Sequence, residues 1–411
     1  MKKIILFPGQ IVSPFFENEI SYIKKNFEII AIFSYDTDVK KAKEILIRNQ
    51  ISKDKLFISS KFYWNILKII RWLFIKDVRD EIKECCISKK NVLKKIFYLI
   101  FYGTYALDVE EKIRNLKIDI DDKEDLFFYS FWMSRGAYAI NYIKSKKDWN
   151  CIKTITRAHG YDLYIERNNM HYLPFREFIN QYTDKICFIS ELGKKYFEEK
   201  YPNGKNKYVY HLGVSNKKNL LKEIKESKKQ ICIASCSAVV HVKRIDYIID
   251  LLSNIDGISI KWIHIGDGEL LNDMKDLASK KLEKTSIEYE FLGNIENSKI
   301  LEIYIEKDVD FFINSSDSEG IPVSIMEAIS VGIPVIARNV GGISEIVNSS
   351  TGLLLNQKWN KYNYKTVKEF ISFRLNNICL YKKYIENCIE VYEKEYCAEK
   401  NYIDFFKSFG E

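Results

Sequence analysis

Residues 314–355, NSSDSEGIPVSIMEAISVGIPVIARNVGGISEIVNSSTGLLL, decide how the chain is read. Just upstream, Val309-Asp310-Phe311-Phe312-Ile313 is an apolar run of strand length, and Val335-Ile336-Ala337 is another. A helix between them makes a strand–loop–helix–strand unit of a parallel sheet. Pro322 suits the first helical turn, where the N–H it lacks would find no partner anyway, and Gly332 followed by Pro334 ends the helix. Glu319 then sits in the loop before the helix and Glu327 on the helix, with seven residues between them. The first helical amides, with Gly320 beside them, point outward and attract an anion or a polar hydroxyl. Two fixed carboxylates accept hydrogen bonds from neighbouring diols. Phosphate and sugar can be held side by side at the C-terminal ends of the strands, where open parallel sheets bind ligands.

With SEGIP and the VGG turn in register, the segment resembles the donor-site signature of the retaining glycosyltransferases of family 4 (glycosyl transferases group 1). The resemblance implies an α/β chain of the GT-B fold, with two Rossmann-like αβα domains facing a central cleft. It implies that Glu319 lies beside the donor sugar, that the backbone of Gly320, Ile321, Pro322 and Val323 lines the donor, and that Glu327 accepts the ribose hydroxyls.

Composition sets the outer bounds. The 411 residues, 46% hydrophobic and 29% charged, are those of a globular protein with material for a sizeable core, and the length suits two domains, one per sheet. An excess of 64 basic over 56 acidic residues, +8, is too diffuse for nucleic acid but inclines the chain toward anionic ligands or an anionic membrane surface. Nine cysteines form no CxxC pair and mostly fall in apolar contexts, so they read as reduced thiols of a cytoplasmic protein. Five scattered histidines form no metal-ligand cluster. The opening Met-Lys-Lys and the apolar run after it read as the approach to a strand, not as a signal peptide. The apolar patches at 62–75 and 96–107 are too short to span a membrane.

Along the first half, Ile4-Ile5-Leu6-Phe7 reads as a strand and Pro8-Gly9-Gln10 as its loop, with a helix over 16–25 and a second strand over 27–33. Gly9 permits close approach of backbone to a ligand and serves equally as a plain turn glycine. In 62–76 the polar residues Asn65, Lys68 and Arg71 recur every third position beside a broad apolar face, and 91–107 repeats the theme with Lys94 and Lys95. Such helices either rest on a membrane surface or pack on the sheet. Residues 125–132 and 154–158 are strands, the second delivering His159-Gly160 to its C-terminal end, where the imidazole can meet a hydroxyl or phosphate. RAHGYDLY at 157–164, followed by YLPFR at 172–176, resembles a bacterial polysaccharide-building branch of the same family. That likeness implies that His159 reaches the donor sugar. Residues 188–191 bring one more strand to a helix, and 208–212 with Gly213 close the first sheet.

The Lys- and Glu-rich residues 216–229 read as a linker between domains 1–215 and 230–394, with 395–411 returning to the first as GT-B chains do. After the strand at 231–235, Lys243-Arg244 stands at a loop–helix junction, where a compact cation can neutralise a departing diphosphate. The family usually carries an Arg five positions before that Lys, and here Ala238 occupies the place. Either Lys243 with Arg244 carries the diphosphate or the charge comes from elsewhere. Trp262-Ile263-His264-Ile265 runs into Gly266-Asp267-Gly268, which resembles the family's element beside the nucleotide, although two glycines between strand and helix also serve geometry alone. Gly293-Asn294 ends the next strand, where the family holds the base.

The expectation is transfer of a glycosyl group from a nucleoside-diphosphate sugar to a glycan or lipid-linked acceptor in cell-surface polysaccharide synthesis. Retention of configuration is expected, with no metal and no cofactor besides the donor. His159, Glu319 and Lys243 carry the chemistry; Gly9, Arg244, Gly266, Asp267, Gly268, Gly293, Asn294, Gly320, Ile321, Pro322, Val323 and Glu327 bind the donor. Peripheral contact with an anionic membrane fits the charge, and nucleic acid does not. The rivals are a sugar-nucleotide epimerase or phosphorylase on the same fold, and a non-catalytic sugar-binding partner in a glycan-assembly complex, made thinkable by Ala238.

Overall fold

The computed structural model describes residues 2–59, 66–87, 90–116, 118, 125–216, 218, 220–356 and 361–410. The first residues of the 62–76 helix and positions 217 and 219 of the linker lie outside these. Two compact units result: residues up to Tyr210 with those from Tyr402 onward, and His211–Asn401.

The first unit is a parallel sheet of seven strands, β1 (Lys3–Gly9), β2 (Glu28–Ser34), β3 (Leu56–Ile58), β4 (Leu126–Ser130), β5 (Lys153–Ala158), β6 (Lys185–Phe188) and β7 (Lys207–Val209), in the order β3-β2-β1-β4-β5-β6-β7. Its helices are α1 (Pro14–Asn26), α2 (Val39–Arg48), α3 (Ile66–Leu73), α4 (Lys76–Ile87), α5 (Val92–Asn115), α6 (Arg135–Lys144), α7 (Arg176–Tyr182) and α8 (Glu191–Lys200). β1 runs through Pro8 and Gly9, so the first loop starts later than the sequence suggests. Continuous apolar runs, Ile4 to Phe7 and Leu126 to Tyr129, are buried on both faces, as central parallel strands require. The helix α5 packs on α3 through Gly103, where a Cβ would stand 2.4 Å from the Trp72 indole, and Trp72 Nε1 donates to the Tyr138 hydroxyl at 2.7 Å. Lys95 leaves the expected basic stripe: it is buried, with its ammonium over the Tyr172 ring. The C-terminal turn brings Phe405, Phe406 and Phe409 onto Tyr129, and Phe406 and Phe409 onto Phe27. Beneath them Arg157 Nη1 meets Glu19 Oε2 at 2.6 Å, both side chains fully buried.

The second unit is a parallel sheet of six strands, β8 (Gln230–Cys236), β9 (Ser259–Ile265), β10 (Ile287–Gly293), β11 (Phe311–Asn314), β12 (Val335–Arg338) and β13 (Gly352–Leu355), in the order β10-β9-β8-β11-β12-β13. Around it lie α9 (Ile245–Ser253), α10 (Leu271–Leu282), α11 (Ile300–Glu306), α12 (Val323–Ser330), α13 (Ile343–Ile346), α14 (Lys361–Asn376) and α15 (Ile378–Val391), and α16 (Ala398–Lys407) runs from this unit into the first. The Lys-rich stretch before β8 is bound, not free. Lys222, its side chain 2% exposed, reaches Asp310 Oδ1 at 2.8 Å. Arg374 Nε donates to the same oxygen at 2.9 Å and the Cys232 amide to Oδ2 at 2.9 Å. Burial acts to raise the Asp310 carboxyl, but Lys222 and Lys228 outweigh it and hold it below the ordinary range. A charge run that reads as an interdomain linker thus sets two of its lysines, Lys222 and Lys228, on one buried carboxylate.

Candidate functional site

In the second unit, β11 ends at Asn314 and the chain turns through Ser315, Ser316 and Asp317 before α12. Pro322 is the N-cap of α12, extended at φ −69° and ψ 126°, one position earlier than a first-turn proline, and no side chain caps the helix. No hydrogen bond among the described residues uses the amides of Gly320, Ile321 or Val323. They remain available to a ligand. The VGG turn holds the loop from behind: the Gly342 amide donates to the Gly320 carbonyl at 2.8 Å, and a Cβ at Gly342 would come within 2.7 Å of that oxygen.

Glu319 is 8% exposed. Its Oε1 accepts from Lys243 Nζ at 2.6 Å and from Ser316 Oγ at 2.6 Å. No hydrogen bond among the described residues reaches Oε2. Lys243 closes a short turn, His241–Lys243, that Ser315 Oγ ties to the loop by donating to the carbonyls of Lys243 and Arg244 at 2.9 and 2.8 Å. Sequence reasoning paired Lys243 with Arg244 as diphosphate ligands, but their surroundings differ. Arg244 donates to Asp246 at 3.0 and 2.8 Å and to Asp317 at 3.3 Å, and its guanidinium lies 3.3 Å from the centre of the Tyr247 ring. Its backbone is left-handed, φ +51°, a strained place for a non-glycine residue. Arg244 is therefore a brace for the junction, and Lys243 is the cation beside the carboxylate.

Arg338, at the end of β12, escaped sequence reasoning. It is buried, donates to the Ser315 carbonyl at 3.0 Å and pairs with Asp317. Nothing in the sequence separates it from any basic residue at a strand end.

Glu327, on the second turn of α12, makes no side-chain hydrogen bond among the described residues. The protein crowded around its carboxyl disfavours the charged form and pushes it up to about 7. Its charge is felt by the thiol of Cys236, which burial first and Glu327 second push up to about 12, with Tyr304 and Lys243 opposing. Glu327 and Lys243 thus act on one thiol at the end of β8.

The Gly266-Asp267-Gly268 turn is explained by backbone packing. Gly266 has φ +143°, and a Cβ there would stand 1.9 Å from the Ser237 carbonyl oxygen; one at Gly268 would stand 2.5 Å from that of Val239. The Ser237 amide donates to Ile265 and the Val239 amide to Asp267, each at 3.0 Å, so two loops are laced together with exposed Ala238 between the stitches. The Asp267 side chain accepts from the Gly268 amide at 2.7 Å. Gly293, φ +69°, faces open space, and Asn294 after it is exposed.

Two of the sequence-predicted residues lie in the first unit. His159 follows β5, is 7% exposed, and stacks on Phe131 and Trp132 with ring centres 4.8 and 4.3 Å away. Nδ1 faces Asp162 Oδ2 at 3.7 Å, longer than a hydrogen bond, and Nε2 has no hydrogen-bond partner among the described residues. Asp162 fixes the turn, accepting from the amides of His159 at 2.8 Å and Met133 at 2.7 Å. Burial acts to raise the Asp162 carboxyl; its contacts with His159 and these amides prevail and hold it low. Gly9, φ +79°, is wedged where a Cβ would stand 2.7 Å from the Tyr35 hydroxyl and 3.1 Å from Trp132.

No group of three or more His, Cys, Asp or Glu side chains among the described residues is placed to hold a metal ion, and no described helix is long and apolar enough to cross a membrane.

Residues 216–389 match the family model described as glycosyl transferases group 1. An uncharacterized glycosyltransferase of Methanocaldococcus jannaschii is 29% identical over 250 residues, 61% of this chain and 66% of its own length. The Escherichia coli O-antigen biosynthesis glycosyltransferase WbnH is 26% identical over 275 residues, 66% of this chain and 72% of its own. Among solved structures, Anabaena HepE in complex with UDP superposes with a TM-score of 0.70 at 13% identity, covering 100% of both chains. At that identity the likeness shows the fold: two parallel-sheet α/β domains of the GT-B class.

Proposed function

We propose that this protein, whose residues 216–389 form a glycosyl transferases group 1 domain, moves a sugar from a nucleoside diphosphate to a glycan or lipid-linked acceptor in surface polysaccharide synthesis. The observation that carries the reading is the contact of Lys243 with Glu319 at 2.6 Å, beside a helix start with unused amides. The names of WbnH and of the UDP complex of HepE support a nucleotide-sugar donor and this cellular role.

In this reading the bond between the anomeric carbon and the diphosphate oxygen breaks as a bond to the acceptor oxygen forms on the same face, with retention. The departing phosphate takes the acceptor proton, and Lys243 with the amides before α12 offsets its charge. That charge balance needs no divalent ion. Glu319 Oε2 is free to hold a sugar hydroxyl, and Glu327 the ribose. The test is incubation of the purified protein with UDP-, GDP- and ADP-sugars. Slow release of nucleoside diphosphate, with the sugar's starting configuration kept in the product by NMR, is expected. Tight binding of a donor without release would instead support the non-catalytic reading that Ala238 raises.

The raised Glu327 carboxyl gives a pH signature. Ribose hydroxyls donate to the ionised form, so donor binding draws on a carboxylate that is mostly protonated below about pH 7. Donor affinity is expected to rise about ten-fold between pH 6 and pH 8, as a single group of that pKa dictates. Glu327→Gln flattens this profile in calorimetric titrations. Stability runs the opposite way: the folded pKa lies above the unfolded 4.5, so ionisation costs stability as pH rises through that interval. Glu327→Gln therefore raises Tm at pH 8 and not at pH 4.

Peripheral contact with an anionic membrane belongs to this proposal too. Ile66, Leu67 and Phe74, on and just after α3, and Leu93 on α5 are 69%, 68%, 71% and 84% exposed, with Arg71, Lys76 and Lys94 exposed among them. Large exposed apolar side chains flanked by cations suit a lipid surface. Co-sedimentation with phosphatidylglycerol vesicles but not phosphatidylcholine ones, lost in Leu67→Glu with Phe74→Glu, is the expected result.

A further inference from the structure

The first unit carries a cation that the donor reading does not use. Arg135 opens α6, just past β4, and its guanidinium carbon lies 3.5 Å from the centre of the Tyr35 ring, 4.5 Å from Phe101 and 5.3 Å from Tyr105. The side chain is partly exposed. No hydrogen bond or ion pair among the described residues reaches it. Asp108, whose charge is felt at Tyr105, is taken up by Lys112 at 2.7 Å. Stacking on ring faces fixes the plane of a guanidinium and leaves its in-plane N–H groups free, the geometry that grips a carboxylate or phosphate with two parallel hydrogen bonds. The start of α6 adds amides without a side-chain cap, Ser134 making no capping bond.

The surroundings of Arg135 continue to the buried imidazole. Tyr35, under the guanidinium, meets Gly9; Gly9 meets Trp132; and the Trp132 ring lies 4.3 Å, tilted, from that of His159, whose Nδ1 faces Asp162 Oδ2 at 3.7 Å and whose buried Nε2 has no hydrogen-bond partner among the described residues. Gly9 ends β1, and Tyr35, Trp132 and His159 follow the C-terminal ends of β2, β4 and β5, the edge where parallel sheets bind ligands. An aromatic floor with a preset cation at one end and an imidazole with an unpartnered Nε2 at the other is suited to a sugar bearing an anionic group.

We propose that Arg135 recognises an oxyanion on the acceptor, either the phosphate of a lipid-diphosphate-linked sugar or the carboxylate of an acidic sugar. The word acceptor rests on the transferase reading; the anion site does not. The test titrates the full-length protein, saturated with UDP, with geranyl diphosphate, octyl β-D-glucuronide and octyl β-D-glucoside by calorimetry. At least one anionic probe should bind, and bind about ten-fold more weakly to Arg135→Gln, with Arg135→Lys between the two because it keeps the charge and loses the fork. The neutral glucoside should not distinguish the three proteins. Preference for geranyl diphosphate points to a lipid-linked acceptor, and for the glucuronide to an acidic glycan. Equal affinity of wild type and Arg135→Gln for both anions, or no binding of either, overturns the proposal. Donor hydrolysis by the wild type is measured separately: its absence alongside Arg135-dependent anion binding would overturn the transferase reading alone.

Discussion

Glu319→Ala is expected to lower the rate of nucleoside diphosphate release by about 10³-fold while leaving the protein folded. The carboxylate does two things that alanine cannot. Through Oε1 it fixes the Lys243 ammonium and the Ser316 hydroxyl, each at 2.6 Å, and in the proposed mechanism Oε2 offers an acceptor to the sugar. Loss of the first lets the Lys243 ammonium wander; loss of the second removes the proposed hold on the sugar. Glu319→Gln separates these effects. The amide keeps the shape and an oxygen for Ser316 but has no charge to hold the ammonium, so a smaller fall of about 10² is expected. Lys243, 25% exposed on its side chain, regains water in both variants, but the buried Ser316 hydroxyl loses its acceptor in the alanine variant, a cost of about 1–3 kcal/mol that the glutamine variant avoids. A Tm near that of the wild type with full activity in Glu319→Ala would remove Glu319 from the mechanism.

How far the sequence could foretell this site follows from what kind of contact each residue makes. Glu319, Glu327 and the helix between them were legible because they lie in one short unit whose strand, turn and helix signals are local. Lys243 was legible only as a basic residue at a loop–helix junction. Its union with Glu319 spans 76 positions and belongs to tertiary structure. The same distance hides the difference between Lys243 and Arg244: adjacent in sequence, one meets the free loop and the other is clamped by Asp246 and Asp317. Gly266 and Gly268 read equally as neighbours of a nucleotide and as plain turn geometry, and the backbone carbonyls of Ser237 and Val239, which leave no room for a side chain there, belong to tertiary structure. Lys222 read as part of an interdomain linker, and its pairing with Asp310, 88 positions away, belongs to tertiary structure. Arg135 carried no signal at all, since its meaning comes from rings on β2's end and α5 that the fold alone assembles.

Lys243→Met is expected to cut kcat/KM for the donor by about 10²-fold, most of it in kcat, because the charge it offsets is largest as the diphosphate departs. Arg244 is held elsewhere: it bonds Asp246 through two nitrogens and Asp317 through a third, with its guanidinium over Tyr247, so moving it would leave Asp246 without its cation and Asp317 with Arg338 alone. Ala238 can be made to take over. It is exposed between two laced loops whose amides hold Ser237 and Val239 in place at 3.0 Å, so a long side chain added there displaces nothing buried. Ala238→Arg in the Lys243→Met background is therefore expected to recover about ten-fold of the lost rate, and in the wild-type background to tighten UDP binding by a few-fold, with both gains fading in high salt as an electrostatic effect must. The comparison also tests the brace assignment. Arg244→Ala should lower Tm more than Lys243→Met does and slow turnover less, and the reverse pattern would exchange the two roles and leave the turn at Lys243 as the structural element.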